Sequence, residues 1–385
     1  MSVPVGRAGG GRAIGVGRWP PMIVVAKIGT SSITDHEGWI DEGAIEHFVD
    51  GIAALRAAGH HVVAVTSGAV AAGLPALELG GNSRPRDART LQAVSAVGQG
   101  RLMATYDRAF GSHQLVAGQV LLAPLDFGVR SQYLHARGTL RRLLELGVVP
   151  VINENDAIAD DEIRFGDNDR IAALVAHLLK ADLLVLLTDA PGLLTADPRI
   201  DPSASLIEEI VEVDHTFESM AGGAGTVRGS GGMASKVAAA KMAAWSGVRT
   251  VIAASTREGV LLDAVAGAPG VGTVVLPRRG RLSARKLWIG FAVPATGTVR
   301  VDEGARRALR ERGVSLLPAG VVGAEGRFVS GDAVEIAGPD GVVFGKGIAR
   351  VGANTLARIV GRKTTDLPEG VAHEVVHRDD LVVLP

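Results

Sequence analysis

Two lysines stand where an isolated ammonium is costly. Lys27 lies inside the apolar run "MIVVAKIG" (22–29), and Lys236 falls in the first turn of a helix entered from "GSGGMAS". A buried charge without a partner is strongly disfavoured, and the helix macrodipole repels a cation at an N-terminus unless an anion is close. A phosphate would account for both. The glycine-rich stretch 222–245 offers free N–H groups at a helix start with room for close approach, and Gly29-Thr30-Ser31 after Lys27 forms a second turn of donors. Two lysines and two glycine-bearing turns point to a polyphosphate held from both sides. The simpler readings are a structural ion pair for Lys27 and an exposed glycine loop with an incidental lysine for Lys236.

A third group of residues asks for a different ligand. The stretch "VVPVINENDAIADDEIRFGDNDRIAALVAHLLK" (148–180) passes from a buried-strand pattern into acids and amides, then into an amphipathic helix. Asp160, Asp161 and Glu162 read as a solvated tip. Asn153, Glu154, Asn155 and Asp156 do not, because they end an apolar run. Asp167 and Asp169 either orient this loop or cap the helix at Ile171.

The elements that must position these residues follow from periodicity. Short apolar strands are expected at 22–29, 60–68, 115–122, 148–153, 182–189 and 250–255, separated by helical patterns such as Ile45, Phe48, Val49, Ile52 and Leu55. Alternating strands and amphipathic helices predict an α/β domain, a mostly parallel sheet sandwiched between helices. Ligands bind such sheets beyond the carboxyl ends of the strands. Those ends carry Lys27-Ile-Gly-Thr, Thr66-Ser67-Gly68-Ala69, Asn153 to Asp156, and Thr188-Asp189. After about residue 277 the texture changes to a basic connector helix (278–294) and glycine-broken strands (295–385) with one helix at "EGARRALRERG", a small mainly-β domain.

Several chemistries are excluded. The chain has no cysteine, which removes disulfides, thiolate metal sites and a catalytic thiol. No P-loop, no G-x-G-x-x-G after the first strand, no protein-kinase signature and no HExxH occur. His60 and His61 lead into a strand and read as surface residues, and Ser67 lacks a nucleophile elbow. With 40 basic and 41 acidic residues, net charge -1, there is no global field for nucleic acid or an anionic membrane. No apolar run approaches the roughly 20 residues of a membrane span, and a reducing cytoplasm is the expected setting. Residues 1–21 read as a flexible tail, and Met22 is the expected true start, which an intact mass of the native protein would check. What remains is phosphoryl transfer. With no obvious general base, a carboxylate acceptor fits best, because its pKa of about 4 leaves it ionised at neutral pH.

The blocks "VVAKIGTSS", "VTSGAVAAG", "PVINENDAI", "FGDNDRIAA", "LLTDAPGLLTADP" and "GSGGMASKVAAA" together resemble the glutamate 5-kinases of the amino acid kinase family, in the same order, from about Met22 to the C-terminus. The first 21 residues have no counterpart. The resemblance implies the amino acid kinase fold over 22–277 and transfer from ATP, with Mg²⁺, to the γ-carboxylate of L-glutamate, the first step of proline biosynthesis. It places Lys27 and Lys236 on the transferring phosphoryl group. Thr188 and Asp189, with Ser230, Gly231, Gly232, Met233, Ala234, Ser235 and Lys236, would hold the nucleotide together with Lys27. Ser67, Asp156 and Asn168 would hold glutamate, whose ammonium needs acceptors and whose α-carboxylate needs donors. The resemblance also implies proline as a feedback inhibitor, a homo-oligomer, and a γ-glutamyl phosphate reductase as a possible partner. Residues 295–385 resemble a PUA domain. Residues 296–385 hold 12 Lys/Arg against 12 Asp/Glu, with Phe328 and Phe344 as the aromatics, so RNA is not the expected partner and a structural or regulatory role is. The competing readings are an aspartate, carbamate or N-acetylglutamate kinase, and an RNA-binding regulatory protein on a degenerate kinase scaffold.

Overall fold

Strand parity decides what each side of the main sheet meets. In the protein, described by a computed structural model, eight strands form one sheet: β1 (Ile23–Ile28), β2 (His61–Val65), β3 (Ala117–Leu122), β4 (Val149–Glu154), β5 (Leu183–Thr188), β6 (Glu209–Ile210), β7 (Arg249–Ala254) and β8 (Thr273–Val275). Their order is β3-β4-β2-β1-β5-β7-β8-β6. The pairings from β3 to β7 are parallel, β8 runs antiparallel to β7, and β6 is parallel to β8. The structure describes residues 20–384 except 80–84, 86, 128, 159–167, 214–216, 218–219, 222–231, 279, 281, 369 and 371. Asp160, Asp161, Glu162, Asp167, Ser230 and Gly231 therefore lie outside the described residues, as do residues 1–19.

Because side chains alternate along a strand, Val25, Val63, Val65, Ile152, Leu184 and Leu186 share one core with helices α4 (Arg130–Glu145), α5 (Asn168–Leu179) and α6 (Met233–Trp245). Val24, Ala26, Val62, Ala64, Val151 and Val185 share the opposite core with α1 (Glu42–Ala57), α3 (Ala88–Ser112) and α7 (Val260–Ala266). The same alternation sends Lys27 to the α5/α6 side and Thr66 and Asn153 to the α3 side.

Local signals set the helix ends. Asp41 caps α1 and Asp87 caps α3 through hydrogen bonds from Ala44 N and Thr90 N. The expected burial of Ile45, Phe48, Val49, Ile52 and Leu55 holds. Helix α3 is the long element for which no strand or helix is predicted above. It crosses α2 (Ala69–Gly73) backbone to backbone: a Cβ on Gly98 would stand 1.8 Å from the Ala69 carbonyl oxygen, and one on Gly73 2.1 Å from that of Val94. Gly98→Ala is therefore expected to destabilise the protein by about 3 kcal/mol, the upper end of typical overpacking costs. Gly100→Ala on the same helix meets nothing within 4 Å and is expected to be neutral or slightly stabilising. Urea midpoints of the two variants make the comparison; equal midpoints would refute the crossing as a constraint.

His60 departs from its expected exposure. It is 3% exposed and its Nδ1 accepts a hydrogen bond from Met22 N, while burial lowers its pKa. Its ring thus closes the start of β1 against β2.

The second sheet contains β9 (Gly297–Val301), β10 (Val321–Gly326), β11 (Ala333–Ala337), β12 (Val343–Ala349) and β13 (Val376–Val383), in the order β10-β9-β11-β12-β13. It has its own core around Val299, Ile336, Phe344 and Leu356. Two helices accompany it where one was expected: helix α9 (Glu303–Arg312), and helix α10 (Ala353–Ile359), a short segment whose glycine and valine neighbours read as strand. The connector is shorter than its basic pattern suggests, a four-residue helix α8 (Ala284–Leu287) running into a π-turn at Trp288–Ala292. Arg285 pairs with Asp380, and Lys346 donates to the Val293 carbonyl, so charged side chains tie the connector to the second sheet. Among the described residues no helix is long and apolar enough to cross a membrane.

Candidate active site

Parity places Lys27 toward α5 and α6, and the first turns of both helices come to meet it. Lys27 Nζ lies 2.7 Å from Asp169 Oδ1, and Lys236 Nζ lies 3.3 Å from Asp169 Oδ2. All three residues are nearly inaccessible, at 3%, 1% and 4% exposure. Ser235 Oγ also donates to Asp169 Oδ2, at 2.6 Å. Burial alone would raise the Asp169 pKa, but the two lysine charges and the hydrogen bonds from Lys27 and Ser235 outweigh it and hold the carboxyl at about 2. Asp169 is thus an ionised bridge between the two lysines. Its carboxylate thus meets Lys27, Lys236 and Ser235, a role that neither loop orientation nor helix capping describes. Gly29 leaves space for the arrangement, since a Cβ there would come within 3.3 Å of Lys27 Nζ.

Helix α6 begins at Gly232 with no side-chain cap, so its first N–H groups are available to an anion. Beside it opens a cavity of about 420 Å³ lined by Ser31, Thr188, Asp189, Pro191, Leu194, Met220, Gly232 and Met233. Its mixed apolar and polar wall suits a nucleotide-sized ligand. Thr188 Oγ1 donates to Asp189 Oδ1 at 3.0 Å. Of the residues expected at the nucleotide, Thr188, Asp189, Gly232 and Met233 line this cavity. Ser235 and Lys236 turn instead to Asp169, and Ala234 is exposed outside the lining.

On the other side of the lysines lies the amide and acid cluster. Asn168 Nδ2 donates to Ser67 Oγ at 3.2 Å, and Asn168 Oδ1 accepts from Glu154 N at 3.1 Å. Ser67 and Asn168 are therefore in direct contact. Asp156 sits in the turn after β4, 8% exposed, and its bond goes to Ser95 Oγ at 2.7 Å rather than to Ser67 or Asn168. Burial raises its pKa, and the Ser95 hydrogen bond offsets part of that rise. Asn153 Nδ2 donates to Gln99 Oε1 at 2.8 Å. Ser95 and Gln99 were missed by the sequence reading. The available signal was their i, i+4 spacing inside a long helical pattern between 88 and 112.

The arrangement can hold a polyphosphate beside two buried ammonium groups, with an acceptor cluster of mixed donors and acceptors on the far side. Comparison with known proteins agrees in kind. Residues 22–254 match the amino acid kinase family and residues 297–371 match the PUA domain. A curated Glutamate 5-kinase of Pelobacter propionicus is 43% identical, covering 94% of this chain and 97% of its own. Another, of Pseudomonas putida, is 44% identical, covering 97% and 99%. One from Burkholderia vietnamiensis is 44% identical over 94% and 97%. The chain belongs to the amino acid kinase family.

Proposed function

We propose that this chain transfers the γ-phosphoryl group of ATP to the γ-carboxylate of L-glutamate, giving γ-glutamyl phosphate and ADP. The carrying observation is the buried Lys27–Asp169–Lys236 bridge between the nucleotide-sized cavity and the Ser67–Asn168 contact. The names of the full-length relatives support the same reading.

In this reading ATP lies along the cavity with its phosphates on the uncapped start of α6. The glutamate γ-carboxylate attacks phosphorus directly, because it is ionised and has no proton to lose. Charge spreads over the transferring oxygens as the bond to ADP breaks, and the Lys27 and Lys236 ammonium groups, already desolvated, stabilise it. Asp169 holds both lysine ammonium groups in place while no phosphate is present. Mg²⁺ bound with the nucleotide would supply positive charge that offsets that of the phosphates. Among the described residues no group of three or more His, Asp or Glu could hold a metal, and both Asp169 oxygens face lysines. Ser67 and Asn168 bind the α-carboxylate end of glutamate, and Asp156 accepts from its ammonium.

The direct test is an assay of purified protein with ATP, Mg²⁺ and a panel of carboxylic amino acids, trapping acyl phosphate with hydroxylamine. Hydroxamate from glutamate in preference to aspartate, N-acetylglutamate or carbamate is expected, and none from glutamate would sink the reading.

Asp156→Asn is expected to raise the glutamate KM while leaving the ATP KM nearly unchanged. It keeps the size and removes the charge, and a hydrogen bond to a charged group contributes about 1.5–3 kcal/mol, roughly ten- to a hundredfold. The Asp156 pKa is raised above its ordinary 3.8, so acidification neutralises it at a higher pH than an exposed carboxylate. Glutamate kcat/KM should therefore fall with decreasing pH in the wild type, and in Asp156→Asn this limb should move to lower pH, where only the glutamate γ-carboxylate itself still titrates. A glutamate KM within twofold of wild type would remove Asp156 from the acceptor site.

Further expectations belong to this reading. Proline would compete with glutamate, since both present an α-amino acid head to the Asp156 turn. The acyl phosphate is labile, which favours hand-over to a γ-glutamyl phosphate reductase. A homo-oligomer, a cytoplasmic location, and a division into a tail (1–21), kinase domain (22–277), connector (278–294) and PUA-like domain (295–385) complete it.

A further inference from the structure

Helix α3 sends a row of polar side chains to the acceptor edge of the sheet. Ser95 and Gln99 are one turn apart, and Tyr106 follows two turns later on the same face. Ser95 Oγ donates to Asp156 Oδ2 at 2.7 Å, Gln99 Oε1 accepts from Asn153 Nδ2 at 2.8 Å, and Tyr106 Oη lies 2.7 Å from Thr66 Oγ1. These contacts hold the ends of two strands, β4 and β2, that deliver the acceptor residues. Thr66 Oγ1 also lies 3.1 Å from the carbonyl oxygen of Ser67. The Gly73–Gly98 crossing fixes the height of α3 between Ser95 and Gln99.

The Ser95 contact is the most informative of the three. A serine inside a helix usually returns its hydroxyl to a carbonyl one turn earlier. Here it reaches across to a carboxylate at a distance typical of a charge-assisted bond. Ser95 is 3% exposed and Asp156 8% exposed. Among the described residues, Ser95 supplies the one hydrogen bond that Asp156 receives, on Oδ2, and Oδ1 has none. A nearly buried carboxylate with a single neutral donor among the described residues is under-satisfied, and Oδ1 is the oxygen that a cation could take.

We propose that Ser95 is a positioning residue of the acceptor site: by holding Oδ2 of Asp156 it presents Oδ1 to the α-ammonium of the acceptor amino acid. This rests on the assignment of Asp156 to the acceptor. Ser95 thereby contributes to acceptor affinity and not to the phosphoryl-transfer step, which proceeds at the other end of the glutamate molecule.

The experiment compares Ser95→Ala, Ser95→Thr, Asp156→Asn and the double variant Ser95→Ala/Asp156→Asn, each confirmed folded by circular dichroism, in steady-state kinetics with both substrates. Ser95→Ala is expected to raise the glutamate KM roughly tenfold, the effect of losing one hydrogen bond to a charged group, with kcat and ATP KM changing less than twofold. Ser95→Thr, which retains the hydroxyl, should restore most of the affinity. In the Asp156→Asn background the Ser95→Ala change should add less than twofold, because the group it acts through is already altered. If Asp156→Asn raises the glutamate KM and Ser95→Ala does not, or if the two effects multiply, the Ser95 proposal falls while the acceptor assignment stands. If Asp156→Asn leaves the glutamate KM unchanged, both fall. Equal losses for ATP and glutamate in Ser95→Ala, with a lowered melting temperature, would show a merely structural serine.

Discussion

Lys236→Ala is expected to lower kcat on the order of a hundredfold or more, with much smaller changes in the KM for glutamate. Removing one preorganised charge-stabilising group commonly costs 10²- to 10³-fold in turnover, about 2.7–4 kcal/mol. The geometry explains why such a variant should still fold. Lys236, Asp169 and Lys27 form a triad of two cations and one anion, and loss of Lys236 leaves a neutral pair, with Lys27 at 2.7 Å from Asp169. What disappears is the ammonium beside the uncapped start of α6, where a phosphate would otherwise sit between two positive groups. Steady-state kinetics on the folded variant make the measurement. An unchanged turnover number would place Lys236 outside the reaction and leave it as a partner of Asp169 alone.

Asp169→Asn should have the opposite character, a large loss of stability. It is isosteric, yet it removes the anion that two ammonium groups at 3% and 4% exposure share. Breaking a buried ion pair from one side typically costs about 3–5 kcal/mol. Urea unfolding at neutral pH should show a loss of that size. Added Mg·ATP should recover more of the melting temperature in the variant than in the wild type, because phosphate can replace the missing negative charge. The acid limb provides a second reading. Asp169 has a folded pKa of about 2 against an ordinary 3.8, so its contribution is fully present above about pH 4 and is lost as the pH falls toward 2. The stability gap between wild type and Asp169→Asn should therefore narrow over that window. A gap below about 1 kcal/mol at pH 7 would mean that the lysines find another anion or lose a proton without cost.

The sequence by itself determined a great deal. Apolar runs punctuated by glycine placed the strands of the parallel core, and the polar residues at their ends marked the edge that carries the site. The absence of cysteine and of the common nucleotide motifs removed most competing chemistries. Alternation along a strand, a strictly local property, already sent Lys27 to one face and Thr66 to the other.

Tertiary structure alone decided who meets whom across the chain. Nothing near Lys27 or Lys236 in sequence announces Asp169 as the anion they share, because that contact depends on the first turns of α5 and α6 packing on the same side of β1. The long helix α3 stayed invisible because its face is mixed: Ser95, Gly98 and Gln99 interrupt the apolar pattern, and each does so for a partner that lies far along the chain, in Asp156, Ala69 and Asn153. His60 looked exposed beside His61 until the first strand closed over it. In each case the local pattern records which side of an element is buried. The identity of the neighbour on that side is set by the crossover connections, whose helices bring groups distant in sequence to within hydrogen-bond reach.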